Sequence, residues 1–369
     1  MRRLSYRGVL TREFDWVLFW ITVFICLLGF AFLYSASPEK SISLQNVFYR
    51  QLVWLGIAFL AFWVALWLDY KFFLNWAYFL YGINLVLLIL VLVSGRATKL
   101  GAQRWLGVGP FAIQPSEFAK ITFILALSRF LHGRDLSSNL LRTLLGGFLL
   151  FALPGLLILR EPNLGTTLML FLILVVLLYA AGLRRDLFVF LSIFLCLLAP
   201  LGWLRLKPYQ RERVLVFVNP DMDPLGSGYT VIQSRISIGS GGLWGKGWLQ
   251  GTQSQLNFLP ERHTDFIFSV IAEEGGFAAS VIIVLLFWLI VQKGFLICAQ
   301  TPDRFGGQIA CGVTTMIGLQ AFINLGMTMG LLPVVGMPLP LVSYGGTSVV
   351  ITMLSIGLLL NIKVHRPLF

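Results

Sequence analysis

Residues 205–265 read RLKPYQRERVLVFVNPDMDPLGSGYTVIQSRISIGSGGLWGKGWLQGTQSQLNFLPERHTD, and this is the one long stretch whose average composition keeps it out of hydrocarbon. On either side the chain is almost continuously apolar, while the stretch itself gathers most of the Gly, Gln and paired charges of the second half. At about 60 residues it far exceeds an ordinary connection, which predicts a functional structure rather than a linker. It is expected to form the lid and rim of a site in an integral membrane protein.

The apolar surroundings follow from composition. The chain is 57% hydrophobic and 12% charged, against roughly 25% charged in soluble domains, and its mean hydropathy is +0.84. That excludes a soluble globular domain and predicts a polytopic all-α membrane protein. The four cysteines, Cys26, Cys196, Cys298 and Cys311, lie in or beside apolar runs without CxxC spacing, so they read as small buried hydrophobes. The net charge of +12 comes from basic residues scattered at the ends of apolar runs, a pattern that fits anionic lipid or a lipid-linked anionic substrate rather than nucleic acid.

Runs of about 20 apolar residues predict ten spans, at roughly 16–35, 48–68, 75–93, 113–131, 143–159, 164–182, 187–204, 265–291, 307–329 and 340–361. The fifth and sixth are parted only by the turn Arg160-Glu161-Pro162-Asn163. Placing the N-terminus inside puts fourteen basic residues in the inner short loops and six in the outer ones, so both termini are expected in the cytoplasm. Residues 205–264 are then an extracytoplasmic loop between helices 7 and 8 of a single membrane domain, 1–369. The segment GLLPVVGMPLPLVSYGG (330–346) and the turn at Pro162 suggest interrupted helices of the kind that line binding sites.

Acidic residues are few, so their positions carry information. Asp265 stands where the long loop meets an apolar helix. A carboxylate there either caps the helix, as Thr264 also could, or takes a proton from a hydroxyl. Glu273 and Glu274 lie two turns into that span, where they are costly unless they face a cavity or a counter-charge. Glu117 and Lys120, three residues apart, make a structural bridge or line a polar cavity. Arg211, Arg213, Arg235, Lys246 and Arg262 alternate with Gly-rich turns at Gly239 to Gly247, material suited to holding phosphate. His263 could orient Asp265 or touch substrate. GSGGLWGKG is no nucleotide loop, because Ser240 precedes Gly245 where a second Gly belongs and Gly247 replaces the metal-binding Ser or Thr.

The stretches KLGAQRWLGVGPFAIQPSEFAKI, EPNLGTTL, GTQSQLNFLPERHTDFIF and NLGMTMGLLPVVGMPLPLVSYGGTSVV resemble the SEDS family of cell-wall proteins (shape, elongation, division and sporulation). The loop GTQSQLNFLPERHTD is nearer to its rod-shape branch than to its division branch. The resemblance implies a ten-helix enzyme of the bacterial cytoplasmic membrane that polymerises peptidoglycan glycan strands on the outer face. Lipid II and undecaprenyl diphosphate would be its ligands, and a class B penicillin-binding protein transpeptidase of the elongation machinery its partner. It implies Asp265 as the essential catalytic residue, Glu117 and Lys120 as the family's pair in the fourth span, and the loop before Asp265 as the substrate-contacting segment. One position departs: the family commonly has Asp in P-D-L-G-T where this chain has Asn163, an amide that cannot carry the charge. Glu161, two residues earlier, is the candidate to compensate.

The mechanism expected from this is inverting glycosyl transfer with Asp265 as base, loop arginines on the departing diphosphate, and a divalent cation, Mg or Mn, held by Asp265 with substrate phosphates. Two other classes share the same apolar bundle: a lipid II flippase, and a non-catalytic scaffold for a transpeptidase.

Overall fold

The computed structural model describes residues 14–37, 46–97, 103–107, 112–134, 140–183 and 208–365 apart from 225 and 227, with a few positions between 184 and 207. Helices dominate. Those of the first half are α1 (Trp16–Ala36), α2 (Val47–Trp67), α3 (Tyr70–Ser94), α4 (Pro115–Leu131), α5 (Leu140–Arg160) and α6 (Leu164–Ala180). The long polar stretch supplies α7 (Pro208–Val218), α8 (Tyr229–Ser240) and α9 (Thr252–Gln255), and the chain closes with α10 (Ile267–Gln300), α11 (Arg304–Thr328) and α12 (Gly346–His365). Between α3 and α4 a two-stranded antiparallel hairpin pairs β1 (Arg96–Ala97) with β2 (Gln103–Trp105).

Seven of the helices are long and apolar enough to cross a membrane. The buried α4 and the shorter apolar α6 fall on two further expected spans, and the expected span at 187–204 lies outside the described residues. Boundaries shift for local reasons. The third span begins at Tyr70, not 75, because Asp69 caps it by accepting from Lys71 N at 2.9 Å. The last begins at Gly346, not 340, because Pro338 and Pro340 remove donors and forbid helix through the preceding segment.

Side-chain caps recur at these helix starts. Asp15 accepts from Leu18 N, Asn46 from Phe48 N, Asn163 from Thr166 N and Asp303 from Gly306 N, each satisfying a donor the helix cannot. The helix that follows Asp265 is an exception: its N-cap is Phe266, with no side-chain cap bond.

Helices α4, α11 and α12 are buried over most of their length, and the outward faces of α1, α2, α3, α5 and α10 carry exposed Leu, Phe and Trp. Polar pairs inside the bundle tie its helices together. Asn361 on α12 donates to Leu66 O and Leu68 O and accepts from Tyr70 N, fixing the α2–α3 turn. At the same end Asp15 pairs with Lys363 at 2.7 Å and Lys293 at 3.6 Å, tying α1 to α12 and α10.

The stretch expected as a loop is built as a hairpin against α10. Helix α8 runs along α10, with Ser234 Oγ 2.7 Å from Ser269 Oγ and donating to Thr328 O at 2.6 Å. The chain turns at Gly241 to Gly247 and returns through α9. Helix α10 is broken opposite this turn, at Gly276 (φ 68°, ψ −162°), and the turn takes up the backbone groups the break frees. Lys246 N and Gly247 N donate to Glu273 O and Glu274 O, while Phe277 N and Ala278 N donate to Gly242 O and Leu243 O, all at 2.9–3.2 Å. A side chain on Gly245 (φ 81°) would overlap the Glu274 carbonyl. Of the glycines expected to cradle phosphate, Gly241 and Gly245 let two backbones meet.

Candidate active site

Asp265 sits at the end of a tight turn. Glu261, in the left-handed region at φ 50°, accepts from Thr264 N and Phe266 N through its carbonyl. Asn324 on α11 donates to Asp265 O at 2.9 Å and to Met337 O at 2.6 Å, and Tyr344 N donates to His263 O at 2.8 Å. The main chain of the turn is thus held by α11 and by the non-helical segment 329–345, while the Asp265 side chain is left to face a cavity.

That cavity has a volume of about 510 Å³. Its wall includes Glu261, Thr264 and Asp265 on one side and Arg50, Trp54, Arg104 and Trp105 on the other, with Gly336, Pro338 and Tyr344 between them. Arg104, on β2, donates from Nε to Glu161 O at 3.0 Å and from Nη2 to Pro162 O at 2.5 Å. It also lines a smaller pocket of about 70 Å³ with Asn163, Gln210 and Arg213. Arg213 is held by Val334 O at 3.2 Å. Gly336 (φ 72°) marks where charges converge, since a Cβ there would lie 3.4 Å from Asp265 Oδ2 and 3.9 Å from Arg213 Nη1.

Burial, and then the charge of Glu261, push the Asp265 carboxyl up to about 6, with Arg213 and Arg104 pulling the other way. A carboxylate poised there is ionised at neutral pH yet basic enough to share a proton. Glu161 differs: it is 1% exposed, neither carboxylate oxygen has a hydrogen-bond partner, and burial pushes it up to about 8 against the pull of Arg104.

The expected site residues separate by position. Asp265 faces the large cavity, and Arg213 and Asn163 line the pocket that shares Arg104 with it. Asn163 also caps α6, as an aspartate would, so the departure costs the fold nothing. Three others, Lys246, Arg235 and Arg262, are engaged away from Asp265. Lys246 pairs with Glu273 Oε1 at 2.8 Å. Arg235 donates to Gly330 O at 3.0 Å, beyond the end of α11. Arg262 is buried, bonding Ala36 O at 2.8 Å and Ser254 O. His263 packs its ring 6.1 Å from that of Tyr344. Arg211, on α7, is not among the lining residues of either pocket.

The glutamates in α10 are structural anchors. Glu273 also accepts from Thr252 Oγ1, Gln253 N and Ser254 N, and Glu274 accepts from Ser35 Oγ at 2.5 Å. Lys120 bonds Glu117 at 2.8 Å and Gln320 Oε1 at 2.9 Å, and Gln320 in turn donates to Pro338 O and Ser348 Oγ. The pair therefore braces the cavity wall through Gln320 without lining it.

Sequence reasoning missed Arg50, Arg104 and Asn324. Both arginines counted only as loop charges, although the structure places Arg50 in the first turn of α2 and Arg104 on β2, both lining the Asp265 cavity. Asn324 shares α11 with two other amides, Gln308 and Gln320, so residue type did not single it out.

Residues 16–367 match the FtsW, RodA and SpoVE family, described as "Cell cycle protein". The chain is 44% identical over 295 residues to "Peptidoglycan glycosyltransferase MrdB" of Escherichia coli (strain K12), covering 80% of this chain and 79% of that one. A solved chain described under "Structural coordination of polymerization and crosslinking by a peptidoglycan synthase complex" superposes with a TM-score of 0.83 at 36% identity, over 96% of this chain and 99% of that one. The crystal structure of the Thermus thermophilus rod shape determining protein RodA superposes with a TM-score of 0.72 at 31% identity, over 96% and 97%.

Proposed function

The chain belongs to the SEDS family of FtsW, RodA and SpoVE, and from that premise we propose that the Asp265 cavity is the polymerising centre of a membrane-embedded peptidoglycan glycosyltransferase. The enzyme class is that of its relatives, and the chain is an integral membrane protein that polymerises glycan strands. The observation that carries the assignment to Asp265 is its release from capping. The α10 start is left without a side-chain cap, and the carboxylate faces a cavity large enough for sugar rings and walled by guanidinium groups.

In this reading the acceptor is the GlcNAc of lipid II and the donor is the growing strand on undecaprenyl diphosphate. The acceptor's 4-hydroxyl oxygen attacks the anomeric carbon of the donor MurNAc, Asp265 takes the hydroxyl proton, and the bond from that carbon to the diphosphate breaks with inversion. Negative charge then grows on the departing diphosphate, where Arg104 and Arg213 stabilise it. Trp54, Trp105 and Tyr344 give the sugars apolar faces to lie against.

A divalent cation, Mg²⁺ or Mn²⁺, fits this site as a partner of substrate. Among the described residues no three His, Cys, Asp or Glu side chains converge on a point, whereas Glu261 and Asp265 share the cavity. Asp265 would hold the ion together with diphosphate oxygens, the mode Mg²⁺ favours. When bound, the ion would supply further charge stabilisation.

The basic residues of the short loops support cytoplasmic termini and an active site on the outer face. The partner in this reading is a class B penicillin-binding protein transpeptidase of the elongation machinery. The likeness to a chain from a peptidoglycan synthase complex supports that choice.

The test is a glycan-chain assay on purified protein with lipid II. Strand growth that stops in chelator supports the full reading, and unchanged growth in chelator removes the ion from it. Movement of labelled lipid II between leaflets without polymer would replace the polymerase with a transporter.

A further inference from the structure

We infer that residues 229–258 form a re-entrant hairpin whose tip, Leu243 to Trp248, is immersed in the acyl chains of the leaflet adjoining the Asp265 cavity.

Depth comes first. The tip is bonded to α10 at Glu273 to Ala278, and Gly276 lies nine residues beyond Ile267, about 14 Å along the helix. On the other flank Trp248 Nε1 donates to Ala31 O at 3.3 Å, and Ala31 is five residues short of the end of α1. Both neighbours are membrane spans, so the tip stands alongside their interiors rather than above their ends.

The surface at that depth is apolar. Leu243 is 69% exposed, Trp244 83% and Phe277 64%. They continue the outward faces of α1 (Phe24, Leu27) and α10 (Ile282, Leu285). Between Arg235 and Glu261 the sequence holds a single charge, Lys246, and its ammonium is turned inward to Glu273 Oε1 and Thr252 Oγ1, both at 2.8 Å. Irregular backbone survives at hydrocarbon depth only where protein satisfies it, and here the broken helix and the glycine turn satisfy each other. Standing in water, Leu243, Trp244 and Phe277 would each leave most of a large apolar side chain unburied.

The immersed tip bears on the catalytic turn. Glu273 holds Thr252, Gln253 and Ser254 on the hairpin's return arm, and Arg262 bonds Ser254 O three residues before Asp265. The leaflet is thereby linked to the position of Asp265 through one continuous set of contacts.

The experiment is spin labelling of the full chain in lipid nanodiscs, with the four native cysteines replaced. Nitroxides are placed through Trp244→Cys, through Met222→Cys on the aspartate-flanked turn, and through Phe24→Cys on the lipid face of α1. The ratio of oxygen to nickel-chelate collision rates should be several-fold higher at 244 than at 222 and should approach that at 24. A ratio at 244 equal to that at 222 overturns the inference. Leu243→Cys gives a second reading of the same tip. Retained strand polymerisation identifies the folded variants, and if W244C fails that check, the ratio at 243 decides by the same comparison.

Discussion

Asp265 and Glu161 are both carboxyl groups raised by burial, and they differ in what surrounds them. Asp265 has a cavity and three arginines, Arg50, Arg104 and Arg213, on or near its walls, so its ionised form is usable. Strand polymerisation should therefore fall about tenfold per pH unit below about 6. Glu261→Gln, which removes the like charge, should move that acid limb to lower pH in a rate profile. An acid limb unmoved by E261Q would contradict the electrostatic account. Glu161 has neither cavity nor partner. Its folded value of about 8 lies above the ordinary 4.5, so the folded state binds the proton more tightly, and the associated stability is present below 4.5 and lost as pH rises through 8. Glu161→Gln should raise stability at neutral and alkaline pH by on the order of a few kcal/mol, read as a higher thermal midpoint, and leave the midpoint unchanged below pH 4.5. The catalytic position was legible as a residue in the sequence. Its role was not, because only the structure shows Phe266 taking the cap and leaving the carboxylate free.

At the scale of elements, the apolar runs announced the spans because lipid demands about 20 residues that need no water. The hairpin escaped the same reading. Its composition averages polar, yet Ser234, Lys246, Gly241 and Gly245 are turned against α10, where each meets a neighbour. Averaged hydropathy cannot distinguish a polar group in water from one satisfied by a neighbouring helix. The dependence is testable at the ion pair. Lys246→Met leaves Glu273 buried and uncompensated, a change that costs about 3 kcal/mol when the remaining partners do not rescue it. Heat unfolding of K246M should show a lowered midpoint, while K246M/E273Q should recover part of it. Of the five basic residues expected on phosphate, Arg213 is the one beside the cavity, because residue type and spacing do not reveal which way a side chain turns. Arg104 is reached only through the β hairpin that carries it across to Pro162.

The whole molecule is a bundle whose buried helices α4, α11 and α12 support one polar cavity, with the reaction assigned to its rim and lipid around its outside. Glu117, Lys120 and Gln320 brace that rim from within, Asn324 fixes the turn, and the hairpin holds it from the membrane side. All of these hold the walls of the cavity or the turn of Asp265, and none consumes its carboxylate. That arrangement predicts a separation between binding and chemistry, since the arginines and aromatic rings stay in place when the base is removed. Purified Asp265→Asn protein in nanodiscs is the direct test, with lipid II binding and strand polymerisation measured on the same sample. The account predicts binding within a few-fold of wild type and polymerisation reduced about a hundredfold or more. Polymerisation at the wild-type rate would contradict it.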